Sequence, residues 1–173
     1  LYSSAASDVY KRQERDIAVK ILNSPEGGFS EEVIDRFRRE ARILASLSHP
    51  NIPAIYDVID SNKEFAIVFE FIEGDNLADY IENNGACSID QARRWFSQLC
   101  IALHHAHQKG VIHRDIKPQN IIISPDNRVA YLVDFGIAIS SEDSRRITES
   151  GYVVGTPGYM SPEQQRGEKL DHS

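Results

Sequence analysis

The side chains best equipped for chemistry sit in two short polar stretches, His113-Arg114-Asp115-Ile116-Lys117-Pro118-Gln119-Asn120 and, further on, Asp134-Phe135-Gly136. Carboxylate and amide oxygens are hard donors of the kind magnesium takes, so Asn120 and Asp134 are candidate ligands for such a cation. Asp115 is a candidate base in the same stretch as the ammonium of Lys117. Far upstream stand a second ammonium, Lys20, in the run Ile17-Ala18-Val19-Lys20-Ile21-Leu22, and a carboxylate, Glu40, in a helix-like segment. Each of these has a plainer description on its own. Most strand lysines are solvated, and loop Asp and Asn residues mostly stabilise turns. The choice between the two descriptions depends on the elements that lie between these residues.

The run 17–22 is short and rich in β-branched residues, which favours a strand with Ala18, Lys20 and Leu22 on one face. Ser30 followed by Glu31 and Glu32 is a helix start with acids in the first turn. Ile34, Phe37, Ala41, Leu44 and Leu47 then recur every three or four positions and make one buried stripe. Glu40 lies on or beside that stripe, where a carboxylate needs a partner. His49-Pro50-Asn51 ends the helix, and residues 52–59 and 65–72 read as a hairpin closed by a polar turn. Gly74 marks a break before a short helical turn over 77–81. Ser88 with Gln91 forms a capping box, and Ala92, Trp95, Phe96, Leu99, Ala102, Leu103 and Ala106 give the following helix a broad apolar face until Gly110 ends it. A second hairpin joins 121–123 to 129–133 around Pro125-Asp126-Asn127. Residues 140–150 are polar and without periodicity, a loop carrying several hydroxyls. Strands first and helices later predict an α+β arrangement with two unequal lobes.

The sequence has 173 residues, 41% hydrophobic and 26% charged, the composition of a folded domain of ordinary size. A net charge of −7 offers no general attraction to phosphate backbones, so nucleic acid is not an expected partner. Two cysteines, Cys87 and Cys100, make no disulfide framework and suit a reducing compartment such as the cytoplasm. No apolar run is long enough to span a bilayer as a helix. Residues 1–13 are small, polar and unpatterned and are left out of the expected fold as a linker-like leader. Cys100, His104 and His107 share a helical face, but without a fourth ligand they do not make a zinc site.

The stretches 113–120 and 134–136 resemble the catalytic loop and magnesium loop of the protein kinase family, and Ile17-Ala18-Val19-Lys20 resembles its strand lysine motif. Gly155-Thr156-Pro157-Gly158-Tyr159 and Ser161-Pro162-Glu163 resemble the end of its activation segment. The resemblance runs from about residue 15 to residue 173, in the family's order. It implies a two-lobed fold with a small β-rich lobe and a larger helical one, using ATP and Mg2+. Lys20 would then meet the nucleotide phosphates, held by Glu40. Asp115 would accept or orient the substrate hydroxyl proton, with Lys117 beside it, and Asn120 and Asp134 would hold the metal. Ala18 and Ile122 would sandwich the adenine, Glu70 to Ile72 would offer it backbone hydrogen bonds, and Phe69 would guard the pocket. Lys117 points to serine and threonine in protein substrates rather than tyrosine, and Thr156 would bond near Asp115 and Lys117. Arg114 would pair with a phosphate on Thr148 or Ser150. His113 would be a packing histidine, and Glu163 a structural acid of the larger lobe.

The resemblance divides the chain into a leader (1–13), a small lobe (14–72) and a larger lobe (73–173) reaching through the activation segment. It also implies departures at both ends. No glycine precedes Gly27, so the family's glycine-rich phosphate-covering loop is missing, and the chain stops before the family's central helix. The apolar face of the helix 88–109 would then be exposed. Two other readings remain open at this point: a pseudokinase-like fragment that binds without catalysis, and a small-molecule phosphotransferase of kinase fold.

Overall fold

The computed structural model describes residues 7–12, 15–22, 31–61, 64–135, 156–166 and 168. Four strands, β1 (Ser7–Arg12), β2 (Arg15–Leu22), β3 (Ile55–Ser61) and β4 (Glu64–Glu70), form an antiparallel sheet in the order β1-β2-β4-β3. Register follows from the alternation of side chains. Ala18 opposes Phe69 and Lys20 opposes Ile67, so these residues share one face. Ile17, Val19, Ala66 and Val68 are buried together on the other face.

Helix α1 (Glu31–Ala45) packs its apolar stripe on the first of these faces. Phe37, Ala41, Phe65 and Ile67 make a common buried cluster, with the Phe37 ring edge-on to Phe65 at 5.5 Å between centroids. Truncating either ring to alanine removes about 3–5 kcal/mol of burial and packing. The sheet face that carries Lys20 is therefore rigid where it meets α1.

The larger lobe is built around α3 (Ile89–Gln108), preceded by the two-residue strand β5 (Asp75–Asn76) and by α2 (Leu77–Asn84). Ser88 and Gln91 form the expected reciprocal capping box at the start of α3. Trp95, Leu99, Ala102 and Ala106 are buried along one stripe, which packs with Ile121, Ile123, Ala130 and Leu132 of the short strands β6 (Ile121–Ile123) and β7 (Ala130–Leu132). Strands β5, β6 and β7 form a second small sheet. Gly74 (φ +144) leads into it so closely that a Cβ there would lie 2.0 Å from the carbonyl oxygen of Ile123. Only glycine fits that approach. Helix α4 (Pro162–Gln165) follows a 3-10 turn at Pro157–Tyr159. Among the described residues no helix is long and apolar enough to cross a membrane.

Two features differ from the sequence reading. Residues 7–12, set aside with the leader, form β1, paired along its length with β2 from Ser7–Lys20 to Arg12–Arg15. An edge strand is held by main-chain hydrogen bonds and needs no apolar alternation, so composition did not reveal it. Phe96, expected on the apolar face of α3, is 68% exposed. The buried positions keep a narrow stripe, and Phe96 is turned about 100° around the helix from Trp95.

Candidate active site

Asp115 sits at the centre of a closed set of contacts. The backbone at Arg114 has φ 66 and that at Asp134 φ 59, left-handed values that non-glycine residues seldom adopt and that the surroundings must enforce. His113, almost fully buried, does part of this. Its Nδ1 accepts the N–H of Asp115 at 3.3 Å, so Nε2 carries the proton and donates to the carbonyl of Val133 at 2.9 Å. Burial holds this imidazole below its ordinary pKa, against the opposing pull of the Val133 bond and of Asp134 and Asp115. His113 is thus a neutral strut between the segment before Asp115 and the segment before Asp134.

The Asp115 side chain meets three others. Lys117 Nζ stands 2.7 Å from Oδ2, Asn120 Nδ2 donates to Oδ2 at 3.0 Å, and the Thr156 hydroxyl donates to Oδ1 at 3.3 Å. Lys117 also donates to Thr156 Oγ1 at 3.0 Å, closing a triangle. Burial pushes the Asp115 carboxyl up, but Lys117, by hydrogen bond and charge, together with Asn120 and Thr156, holds it below the usual carboxylate range. Asp115 is therefore ionised and oriented at neutral pH.

Asn120 also donates from Nδ2 to the backbone carbonyl of Asp115 at 2.8 Å, and its own carbonyl accepts the N–H of Val133 at 3.0 Å. Its amide nitrogen is committed to Asp115, and its Oδ1 has no protein partner among the described residues. Asp134 follows Val133 and forms an ion pair with Lys20 Nζ, an ammonium brought from the small lobe. Lys20, Asp115, Asn120 and Asp134 are thus linked in one continuous set across the two lobes.

Lys20 pairs with Asp134, and Glu40, half-buried on α1, lines a pocket with Ile43, Leu44, Gly110, Val111 and Arg114. Helix α1 carries Glu40 toward the segment that precedes the catalytic stretch, while the β2 lysine reaches into the cleft. The stripe that buries Phe37 and Ala41 fixes which way that helix face turns.

Around the cleft, Ala18 and Ile122 are half-buried on β2 and β6. Phe69 and Glu70 end β4, and the Glu70 N–H is already bonded to the Ala54 carbonyl at 2.8 Å. The Glu70 N–H is therefore not available to a ligand. Ile72 has no backbone partner among the described residues. Thr148 and Ser150 lie outside the described residues. Also among the described residues, no cluster of three or more His, Cys, Asp or Glu side chains could hold a metal ion.

One residue at the site escaped the sequence reading. Gln164, in α4, donates from Nε2 to the Arg114 carbonyl at 2.6 Å. The signal available was a glutamine three residues after Ser161, a second capping box like that of Ser88 and Gln91.

A small β-rich lobe whose lysine meets an aspartate of a larger helical lobe, beside a cross-bonded catalytic stretch, defines a two-lobed α+β domain of protein-kinase type. Comparison with known proteins agrees: the model of the protein kinase domain matches residues 2–173, and the chain belongs to that family. It is 41% identical over 164 residues to the serine/threonine-protein kinase PknB of Mycobacterium leprae, covering 92% of this chain and 26% of that protein. It is 42% identical over 154 residues to the serine/threonine-protein kinase PrkC of Bacillus subtilis, covering 89% of this chain and 23% of that protein. The chain thus spans about a quarter of the length of these relatives. Among solved structures, it matches a mutant of the Mycobacterium tuberculosis PknI kinase domain with TM-score 0.71 and 25% identity, over 99% of this chain and 65% of that one. It matches Rad53 1-466 in complex with AMP-PNP with TM-score 0.69 and 29% identity, over 89% of this chain and 36% of that one.

Proposed function

We propose that the protein carrying this chain transfers the γ-phosphoryl group of ATP to serine or threonine hydroxyls of protein substrates. The observation that carries this reading is the Lys20–Asp134 ion pair, which joins the two lobes beside the ionised, cross-bonded Asp115. Phosphoryl transfer spreads negative charge over the transferring group, so positioning and charge are what the protein must provide.

Lys20 binds the α and β phosphates, exchanging a carboxylate partner for phosphate oxygens. Ala18 and Ile122 close on the adenine from the two lobes, with the Glu70 carbonyl and the free backbone of Ile72 as its hydrogen-bonding edge. Asp115 takes up or orients the proton of the incoming hydroxyl. Its depressed pKa keeps it ionised, and Lys117 and Thr156 fix which oxygen faces the substrate. Lys117, bridging Asp115 and Thr156, supports the assignment to serine and threonine.

The donor set fits magnesium. Asn120 presents an amide oxygen without a protein partner among the described residues, and Asp134 presents a partly exposed carboxylate. Magnesium retains waters and takes few protein ligands, so two hard oxygens suffice. When bound, it supplies positive charge against the β and γ phosphates. The sheet β1–β4 with α1, and the part of the chain from residue 73 onward, supply the two lobes between which the nucleotide binds. Arg114, half-buried beside Asp115, is the cation for a phosphate on Thr148 or Ser150. The domain works on the cytosolic side.

The test uses the full-length protein with γ-labelled ATP, magnesium and a generic protein acceptor. Labelled phosphoserine or phosphothreonine is expected, with loss of nearly all counts in Asp115→Asn. Equal counts in the two proteins would overturn the reading, and label appearing only on a small-molecule acceptor would move it to another substrate class.

A further inference from the structure

The Arg114–Asp115 peptide unit is gripped at both ends. Its N–H is bonded to His113 Nδ1 at 3.3 Å, and its carbonyl oxygen, that of Arg114, accepts a 2.6 Å hydrogen bond from Gln164 Nε2. The second grip comes from far along the chain, out of α4. The same side chain is held at its other end, where Gln164 Oε1 accepts the Ser161 N–H at 3.1 Å while the Gln164 N–H reaches Ser161 Oγ at 3.4 Å. These partners fix which way round the amide lies. A carbonyl can only accept and a backbone N–H can only donate, so the oxygen must face Ser161 and the nitrogen Arg114.

Capping alone does not require this residue type. A glutamate three residues after the cap offers the same acceptor to the Ser161 N–H, and glutamate and glutamine are equally at home in a capping box. Only glutamine adds a donor for the catalytic stretch. The peptide it holds is one that needs holding, because Arg114 has φ 66, a conformation disfavoured for a residue with a side chain. The direction in which Asp115 leaves the backbone follows directly from that peptide plane.

We infer that Gln164 is a positioning residue for Asp115: through the Arg114 carbonyl it locks the left-handed peptide that aims the carboxylate. It touches neither the nucleotide nor the reacting hydroxyl. The inference rests on the proposed phosphoryl-transfer reading for its kinetic consequence, but the tie itself is a property of the chain.

The discriminating variant is Gln164→Glu in the full-length protein. It keeps an oxygen for the Ser161 N–H and so preserves the cap, but it has no donor for Arg114. Initial rates against ATP, thermal melting and amide hydrogen exchange are measured in parent and variant. We expect kcat to fall by about tenfold, the size of one lost hydrogen bond in rate. KM for ATP should stay within about twofold, since no nucleotide contact changes. Exchange should rise in the peptide covering residues 113–117 and stay unchanged in α3. An unchanged kcat with unchanged exchange at 113–117 would overturn the inference while leaving the kinase reading intact. So would a parallel change in kcat, KM and melting temperature, which marks general destabilisation. If the parent protein transfers no phosphate, the functional reading fails, and the exchange result alone decides whether the tie exists.

Discussion

Replacing Lys117 by alanine tests how the site holds Asp115 ionised. Burial alone would raise this carboxyl, and what reverses the sign is chiefly Lys117, 2.7 Å from Oδ2, aided by Asn120 and Thr156. Lys117 and Asp115 keep 22% and 25% of their side-chain surface exposed, so water screens the pair and the low-dielectric Coulomb value does not apply. A hydrogen bond to a charged group contributes about 1.5–3 kcal/mol, and screening favours the lower end. Lys117→Ala should therefore raise the Asp115 pKa, moving the acid limb of kcat/KM to higher pH. At about pH 7.5, lost orientation should lower kcat by about tenfold or more. The sign also bears on stability. A carboxyl held low in the folded state stabilises the fold above its unfolded pKa, and that contribution disappears as pH falls through the depressed value, so the variant loses it from a higher pH. Thr156→Val removes only a neutral donor at 3.3 Å and should move the limb the same way by less. Initial rates of the full-length protein between about pH 5 and 9 decide the matter. An acid limb that stays in place or moves down, or one that Thr156→Val moves further than Lys117→Ala, would refute this account of the carboxylate.

Two further outcomes concern the framework. Gly74→Ala forces a Cβ to within 2.0 Å of the Ile123 carbonyl oxygen at a φ of +144, so β6 or the chain entering β5 must shift. A cost of about 2–3 kcal/mol is expected, read as a fall of roughly 4–12 °C in the melting temperature of the domain; a variant melting within a degree of the parent would show that the close approach is not maintained. His113, buried and neutral, binds its proton less readily than the unfolded chain does. Below about pH 6.5 the unfolded state gains that proton first, so stability falls with pH, by up to about 1.4 kcal/mol per unit. His113→Leu should melt lower at about pH 7.5 but lose less between about pH 7 and 5.5; an unchanged pH slope would mean the imidazole is not held neutral.

Much of this architecture was legible because its signals were local. The period-three-and-four stripe of α1, the Ser88–Gln91 capping box and the β-branched runs of β2 and β4 each follow from neighbours in sequence, and the elements fall where those patterns place them. The catalytic stretch was legible for a different reason, since Asp115, Lys117 and Asn120 lie within six residues and must share a loop. What escaped depended on distance. Which flank of α1 faces the cleft depends on the rotation of the helix about its axis, set by Phe37 and Ala41 packing on Phe65 and Ile67. The stripe says which residues are buried, not which flank of it reaches the cleft. β1 was invisible because main-chain pairing leaves no compositional trace. Gln164 looked like a cap and nothing more, since its second partner lies fifty residues away.

Four of the side-chain ties to backbone groups share a chemistry. Asn51 Nδ2 donates to the Ala130 carbonyl at 2.9 Å, and Gln98 accepts the Ala130 N–H at 2.7 Å while donating to the Arg128 carbonyl at 2.9 Å. Asn120 ties Asp115, and Gln164 ties Arg114 to Ser161. All four are amides. An amide offers a donor and an acceptor on one rigid group, so a single side chain can satisfy two backbone groups of opposite kind. A carboxylate or ammonium in the same place would carry a desolvation cost and would also shift every titratable neighbour. Neutral struts leave the field in the cleft to charged groups such as Lys20, Asp115, Lys117 and Asp134. Mechanical support from Asn51, Gln98 and Gln164 is thereby carried by uncharged residues, so a neutral substitution at any of them alters it without adding or removing a charge.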